Sequence, residues 1–310
     1  MGVFLRELGV LYEAYVRGEE SPLQALQVQY ADYALWQRQW LQGEVLQRQL
    51  DYWKGKLANA PSGLELPTDR PRPALPSFRG AQVAFSFPGE LILALQDLAR
   101  KEGATLYMVL LAALQVLLSR WSGQRDILVG SPIAGRTHRQ TEGLIGFFLN
   151  TLVMRTRWDG DPTFRELLAL VREVALGAYT HQDVPFEKLV EELQPERDLS
   201  HSPFFRVLFN HSDFQGREIA LPELVVQPLT DLSGRSAKFD LSLYTAEEGG
   251  ELNLTLVYKP DLFNESTIVR MCSHLRMLLE QLAADPGRPI SSYSLQSESE
   301  NFVLVSDFNE

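Results

Sequence analysis

Five prolines crowd the stretch between residues 61 and 76: Pro61, Pro67, Pro71, Pro73 and Pro76. Proline fixes φ and has no amide hydrogen to donate, so this stretch can be neither helix nor central strand. It divides the chain into a front part that reads as helical and a longer part in which strands and helices mix. In the front part, Phe4, Leu8, Leu11 and Tyr15 recur at helical spacing and predict an amphipathic helix over roughly residues 2–17. Gly18 to Pro22 breaks it. One long helix is then expected from about residue 29 to residue 57, with Tyr33, Trp36, Trp40, Leu46, Leu50 and Trp53 as apolar members packed into a core. The opening Met1-Gly2-Val3-Phe4 offers no Ser, Thr, Asp or Asn as a cap. It reads either as a frayed end or as a chain cut within or just before a helix.

Beyond the prolines, Val83, Phe85 and Phe87 alternate with small or polar residues and predict a strand. Two helices are expected at 90–101 and 106–121, split at Gly103, and a short buried strand at 126–130. A strand lies within 143–157, followed by a helix over 162–179 with Pro162 in its first turn, and a short helix at 186–193. Strands are expected at 205–210, 225–228, 239–244 and 252–258, the last two flanking the hairpin sequence Glu248-Gly249-Gly250. A helix at 267–282 closes the pattern. Strands mixed with helices, without a strict β-α-β rhythm, predict an α+β fold.

Charge and composition narrow the function classes. The net charge of -11 opposes binding to phosphate backbones or anionic lipid, so neither nucleic acid nor membrane is expected as a partner. The longest apolar run, 106–118, is shorter than the roughly 18 residues of a membrane span and reads as a buried helix. The single cysteine, Cys272, sits in an apolar helical run and reads as packing. One cysteine cannot form an internal disulfide, which fits a cytoplasmic location.

The five histidines, His138, His181, His201, His211 and His274, show no metal-ligand spacing. A Gly-x-Ser-x-Gly elbow and a phosphate-binding glycine loop are both lacking. His138-Arg139-Gln140-Thr141-Glu142-Gly143 has the outline of a His-x-x-x-acid-Gly acyltransferase motif, but its polarity reads as a solvated loop. In His181-Gln182-Asp183-Val184-Pro185-Phe186-Glu187, the Gln and Asp are placed to cap the short helix that follows.

Four segments in order resemble one family. Tyr30-Ala31-Asp32-Tyr33-Ala34-Leu35-Trp36 resembles the Tyr-x-Asp-Tyr-Ala-x-Trp motif of condensation domains of nonribosomal peptide synthetases. Ile145-Gly146-Phe147-Phe148-Leu149-Asn150-Thr151 resembles their Ile-Gly-x-Phe-x-Asn-Thr motif, His181 to Glu187 their His-Gln-Asp-x-Pro-Phe-Glu motif, and Arg197-Asp198-Leu199-Ser200-His201-Ser202-Pro203 their Arg-Asp-x-Ser-x-x-Pro motif. The resemblance runs from residue 1 to about residue 295.

It implies a two-lobed fold like chloramphenicol acetyltransferase, with a tunnel between lobes in which an acceptor amine attacks a donor thioester. By the same resemblance, residues 1–58 are a remnant of the N-terminal lobe with the connecting helix, 59–295 the C-terminal lobe, and 296–310 the start of a linker toward an adenylation domain. Ser131 and Arg136 would border the tunnel, Asn150 and Thr151 lie near the lobe junction, and Gln182 and Asp183 shape the acceptor side. Arg197 and Asp198 would form an ion pair or a carrier-docking surface. No cofactor is expected to bind directly, since substrates arrive on the 4'-phosphopantetheine arms of peptidyl carrier protein domains. The family's His-His-x-x-x-Asp-Gly motif has no counterpart in these residues, which contain no His-His pair. The expectation is therefore a fragment without the catalytic motif, whose N-terminal lobe is missing and which is inactive alone; the alternative is a non-catalytic module that binds carrier proteins. With that lobe absent, the first helix is expected to be frayed or misplaced.

Overall fold

The structure is a computed structural model and describes residues 2–61, 63–75, 77–193, 202–212, 221–226 and 236–296. Its centre is one open mixed sheet. The strands are β1 (Ala81–Phe87), β2 (Asp126–Ile133), β3 (Asn150–Arg157), β4 (Val207–Ser212), β5 (Leu241–Glu248) and β6 (Glu251–Tyr258). They lie in the order β1-β6-β5-β4-β2-β3. β6 runs antiparallel to both β1 and β5, β4 runs parallel to β5 and β2, and β3 closes the far edge antiparallel to β2. Gly249 and Gly250 turn the β5–β6 hairpin at φ of 62° and 81°, a pair of positive angles that glycine adopts without steric cost.

Helices α4 (Gly89–Lys101), α5 (Leu106–Ser122), α6 (Phe164–Thr180) and α8 (Glu265–Ala284) form the layer over this sheet. α5 is its centre, packed on α4, α6, α8 and β2. All its residues from Met108 to Leu118 are buried, as the apolar run predicts. The Thr105 hydroxyl accepts the Met108 amide at the start, and Gly123 at φ 74° ends the helix. Cys272 is buried on α8 as free thiol.

Three helices precede the prolines: α1 (Gly2–Val16), α2 (Tyr30–Trp40) and α3 (Gly43–Leu57). α1 covers the residues expected, with Ala14 its one buried residue. The continuous helix expected over 29–57 is two, because the chain turns at Leu41-Gln42-Gly43 with Gly43 at φ 54°. The aromatic stripe divides accordingly. Trp53 and Leu50 on α3 are core residues, whereas Trp36 and Trp40 on α2 are each 37% exposed and stack on each other at 5.2 Å.

Two further expectations are corrected. Pro162 precedes the helix rather than entering its first turn, because Thr163 is the N-cap of α6 and forms a capping box with Glu166. Val225 and Val226 lie outside any strand, and Pro228 is not among the described residues.

Charged side chains fasten the irregular segments. In the proline connector, Asp69 accepts from the Asn264 amide and the Thr267 hydroxyl at 2.7 and 2.9 Å, while Arg70 donates to the Pro260 carbonyl at 2.6 Å. Arg72 pairs with the buried Asp240, which also faces Lys259 at 3.6 Å. The connector is thus held against the end of β6 and the start of α8.

Candidate functional site

Asn150 opens β3 at the outer edge of the sheet and sits where three of the four sequence motifs meet. Its Nδ2 donates to the carbonyls of Gln182 and Val184 at 2.8 and 2.9 Å. Its Oδ1 accepts the amides of Phe186 and Thr151 at 3.0 and 2.8 Å. A side-chain amide has two donors and two acceptor sites, so every capacity is used. The Phe186 amide is the first of helix α7 (Phe186–Leu193). Asn150 therefore performs the capping expected of Gln182 and Asp183. Those two residues point elsewhere: Gln182 Nε2 donates to the Tyr179 carbonyl at 2.7 Å, and Asp183 Oδ2 accepts from Gln49 Nε2 at 3.1 Å.

His181 is fixed from three directions. Its ring lies flat on Tyr52 at 3.9 Å, its carbonyl accepts from Trp53 Nε1 at 2.8 Å, and its Nδ1 faces the Gly177 carbonyl at 2.8 Å. A carbonyl only accepts, so Nδ1 carries a proton. These contacts anchor α3 to the turn between α6 and α7.

The loop before Asn150 is clamped by α2. The Tyr30 hydroxyl donates to the Phe147 carbonyl at 2.9 Å, and a Cβ at Gly146 would overlap the Tyr30 ring. Tyr30 and Tyr33 both pack on the buried Phe148, at 5.2 and 4.8 Å between ring centres. Arg136 covers Phe148 at 4.1 Å and donates to the carbonyls of Thr141 and Leu144. Its guanidinium is committed to shaping this loop. Ser131 is buried within β2 and bonds to the Tyr107 hydroxyl at 2.8 Å. Thr151 pairs with Pro132 across the β2–β3 ladder. Arg197 and Asp198 lie outside the described residues.

Between α2 and the α6–α7 turn these residues leave a pocket of about 140 Å³, walled by Tyr30, Tyr33, Phe148, Asn150, Gln182 and Asp183, with Glu187 at the rim. Burial holds the Asp183 carboxyl above the usual carboxylate range, and the fields of His138 and His181 pull the other way. Burial raises the Tyr33 phenol as well, helped by the neighbouring Asp183 and Tyr30. An adjoining apolar groove runs past Val28, Trp36 and Leu144 to the exposed His138, whose ring meets Trp36 edge-on at 4.8 Å. Among the described residues no three His, Cys, Asp or Glu side chains gather as a metal site.

The motifs place Asn150 near the lobe junction and Gln182 and Asp183 on the acceptor side, whereas the structure joins Asn150 to the turn that carries both; the motifs assign no site role to Tyr30, Tyr33, Phe148 or Gln49. The Tyr30–Trp36 motif carried the signal for the first two. Gln49 carried none, since a polar residue on an amphipathic helix ordinarily faces water.

One open mixed sheet, a helical layer on it and a motif junction at its edge strand define an α+β domain of the chloramphenicol-acetyltransferase-like class. The condensation domain family model matches residues 1–305, and the chain belongs to that family. A linear gramicidin synthase polypeptide from Brevibacillus parabrevis is 50% identical over 311 residues, spanning 100% of this chain and 4% of its own length. The chain thus spans a small part of that much longer relative. The X-domain from teicoplanin biosynthesis superposes with a TM-score of 0.86 at 32% identity, covering 94% of this chain and 68% of that one. A four-domain nonribosomal peptide synthetase bound to AMP and glycine superposes at 0.79 with 26% identity, covering 96% and 24%.

Proposed function

We propose that these residues are the scaffold and one wall of a condensation domain that joins carrier-bound aminoacyl or peptidyl thioesters through an amide. The acceptor amine attacks the thioester carbonyl, a C–N bond forms, the C–S bond breaks, and the amine proton passes to the departing thiolate. A group must take that proton within about 3 Å. The family's His-His-x-x-x-Asp-Gly motif would supply it, and no His-His pair occurs in this sequence. The chain acting alone is therefore inactive in this reading. Carrier domains and an adenylation domain are its partners in the cytoplasm, and 4'-phosphopantetheine enters only as the arm that carries substrate.

The observation that carries the reading is the junction at Asn150, which ties three family motifs into one hydrogen-bonded unit. Ser131 and Arg136 act there as framework, and Gln182 and Asp183 as the acceptor-side wall. The missing His-His pair favours a second reading, a module that binds carriers without catalysis. Supplying loaded donor and acceptor carriers separates them. Amide formed by a longer polypeptide containing the His-His motif, and none by this chain, supports the first. Amide formed by this chain alone overturns it, and tight carrier binding with no amide in either case supports the second.

A further inference from the structure

We propose that the free edge of β3 is a receptor for an extended acidic segment of another polypeptide, which adds to the sheet as a further strand. The site lies at the opposite end of β3 from the Asn150 junction, and its use does not depend on amide formation.

β3 is the last strand of the sheet and pairs with β2 alone. In register with that ladder, the Trp158 amide donates to the Arg125 carbonyl. Bonded and non-bonded pairs alternate in an antiparallel ladder. The pairs Asp126–Arg157 and Leu128–Arg155 are therefore of the non-bonded kind, and the amides and carbonyls of Arg155 and Arg157 point off the edge of the sheet. The Thr151 amide obeys the same alternation, and there Asn150 Oδ1 accepts it. No described residue takes the outward groups of Arg155 and Arg157.

These groups open into a groove of about 370 Å³. Lys56 and Ala58 at the end of α3 form one bank, and Leu170 and Glu173 of α6 form the other. Three successive residues of β3, Arg155, Thr156 and Arg157, line its floor, so the groove follows the strand edge rather than one face of the sheet. Residues two apart on a strand are about 6.8 Å from each other, so the two outward sets match the repeat of an extended chain. Strand addition of this kind draws affinity from main-chain bonds and specificity from alternate side chains.

Charge fixes the occupant. Arg155 is spent on Asp126, but Lys56 and Arg157 form no ion pair among the described residues. Arg157 shares a face of the strand with Arg155, the face that meets the end of α3. A residue of the added strand opposite Arg157 falls on that face, where an acidic side chain is favoured. The residue opposite Thr156 falls on the α6 side. The Thr156 hydroxyl is buried without a partner, and a Ser or Thr opposite it can supply one. Glu173 disfavours a second acid at that place. The fitting pattern is therefore acidic residues two apart with a hydroxyl between them. With a net charge of -11 the chain as a whole repels such a segment, which confines binding to this edge.

The test is a titration of the isotopically labelled 310-residue chain with acetyl-Val-Glu-Thr-Glu-Val-amide, whose symmetry serves either strand direction. One control carries Lys in place of Glu. The other is N-methylated at Glu, Thr and Glu, which keeps the charge and removes the main-chain donors. Saturable NMR shifts at residues 153–157 are expected, with slowed hydrogen exchange of the Arg155 and Arg157 amides and about tenfold weaker binding of either control. Arg157→Glu changes an exposed side chain and should weaken the acidic peptide about tenfold while favouring the lysine peptide. Equal binding of either control by the wild type, unprotected Arg155 and Arg157 amides at saturation, or no saturable shift up to about 1 mM overturns the proposal. Should Arg157→Glu disturb the strand, Lys56→Glu on α3 takes its place, and an unchanged preference overturns the proposal. Protection of the same amides that grows with chain concentration in the absence of peptide assigns the edge to a second copy and overturns it as well.

Discussion

Arg155 holds Asp126 with two nitrogens, Nε at 2.8 Å from Oδ1 and Nη2 at 2.6 Å from Oδ2. The same guanidinium donates from Nη1 to the carbonyls of Lys56 and Ala58 at 2.9 and 2.8 Å, at the end of α3. One buried cation therefore closes the C-terminus of a helix and the end of the β2–β3 ladder. Arg155→Met leaves Asp126 without its partner and those carbonyls without donors. A loss of about 3 kcal/mol is expected, at the lower end for a broken buried pair because Asp126 keeps some water contact. Urea denaturation should show a lower midpoint with an unchanged slope. Asp126→Asn, which keeps an acceptor, should cost less.

Asn150→Ala removes a side chain whose donors and acceptors are all engaged. About 2 kcal/mol of stability should be lost, since the Gln182 and Val184 carbonyls and the Phe186 amide lose a partner together. Hydrogen exchange at Phe186 should accelerate more than exchange within α5, locating the damage at the junction.

Asp183 predicts a pH effect of definite sign. Burial raises its native carboxyl above the unfolded value of about 3.9, so the native state keeps this proton to higher pH than the unfolded chain does. Unfolding then releases a proton in that interval, and the contribution of the group to stability falls as pH rises through it. Stability of the wild type minus that of Asp183→Asn should therefore be greater near pH 4 than at pH 7. A flat difference would contradict the assignment.

Cys272 should be unreactive in the native chain. Burial pushes its thiol up to about 12, so almost no thiolate exists at pH 8. Ellman's reagent should report one thiol in denaturant and none within minutes under native conditions.

The elements legible in the sequence were those whose cause is local. The alternation of Val83, Phe85 and Phe87 marks β1, the Gly249-Gly250 pair marks the hairpin, and the apolar run of α5 marks the centre of the core. What was not legible depends on partners far along the chain. Gln182 and Asp183 stand where a cap would be sought, yet Asn150, more than thirty residues earlier, does the capping. Trp36 and Trp53 share one aromatic pattern, but a positive φ at Gly43 sends them to different surroundings. The family motifs located the junction because they mark residues that meet in space. They did not show that Arg136 spends its charge on loop carbonyls, because backbone acceptors leave no trace in a sequence.

The sheet order also dictates a sequence of events. Among the described strands β1 pairs with β6 alone, some 170 residues later, and the Asp69–Arg70 latch closes on residues 260–267. Neither can form on a ribosome until residues 252–267 have emerged. Throughout that interval the Phe85 and Phe87 edge is an unclaimed template, so the nascent chain is open to wrong pairing until β6 has been made.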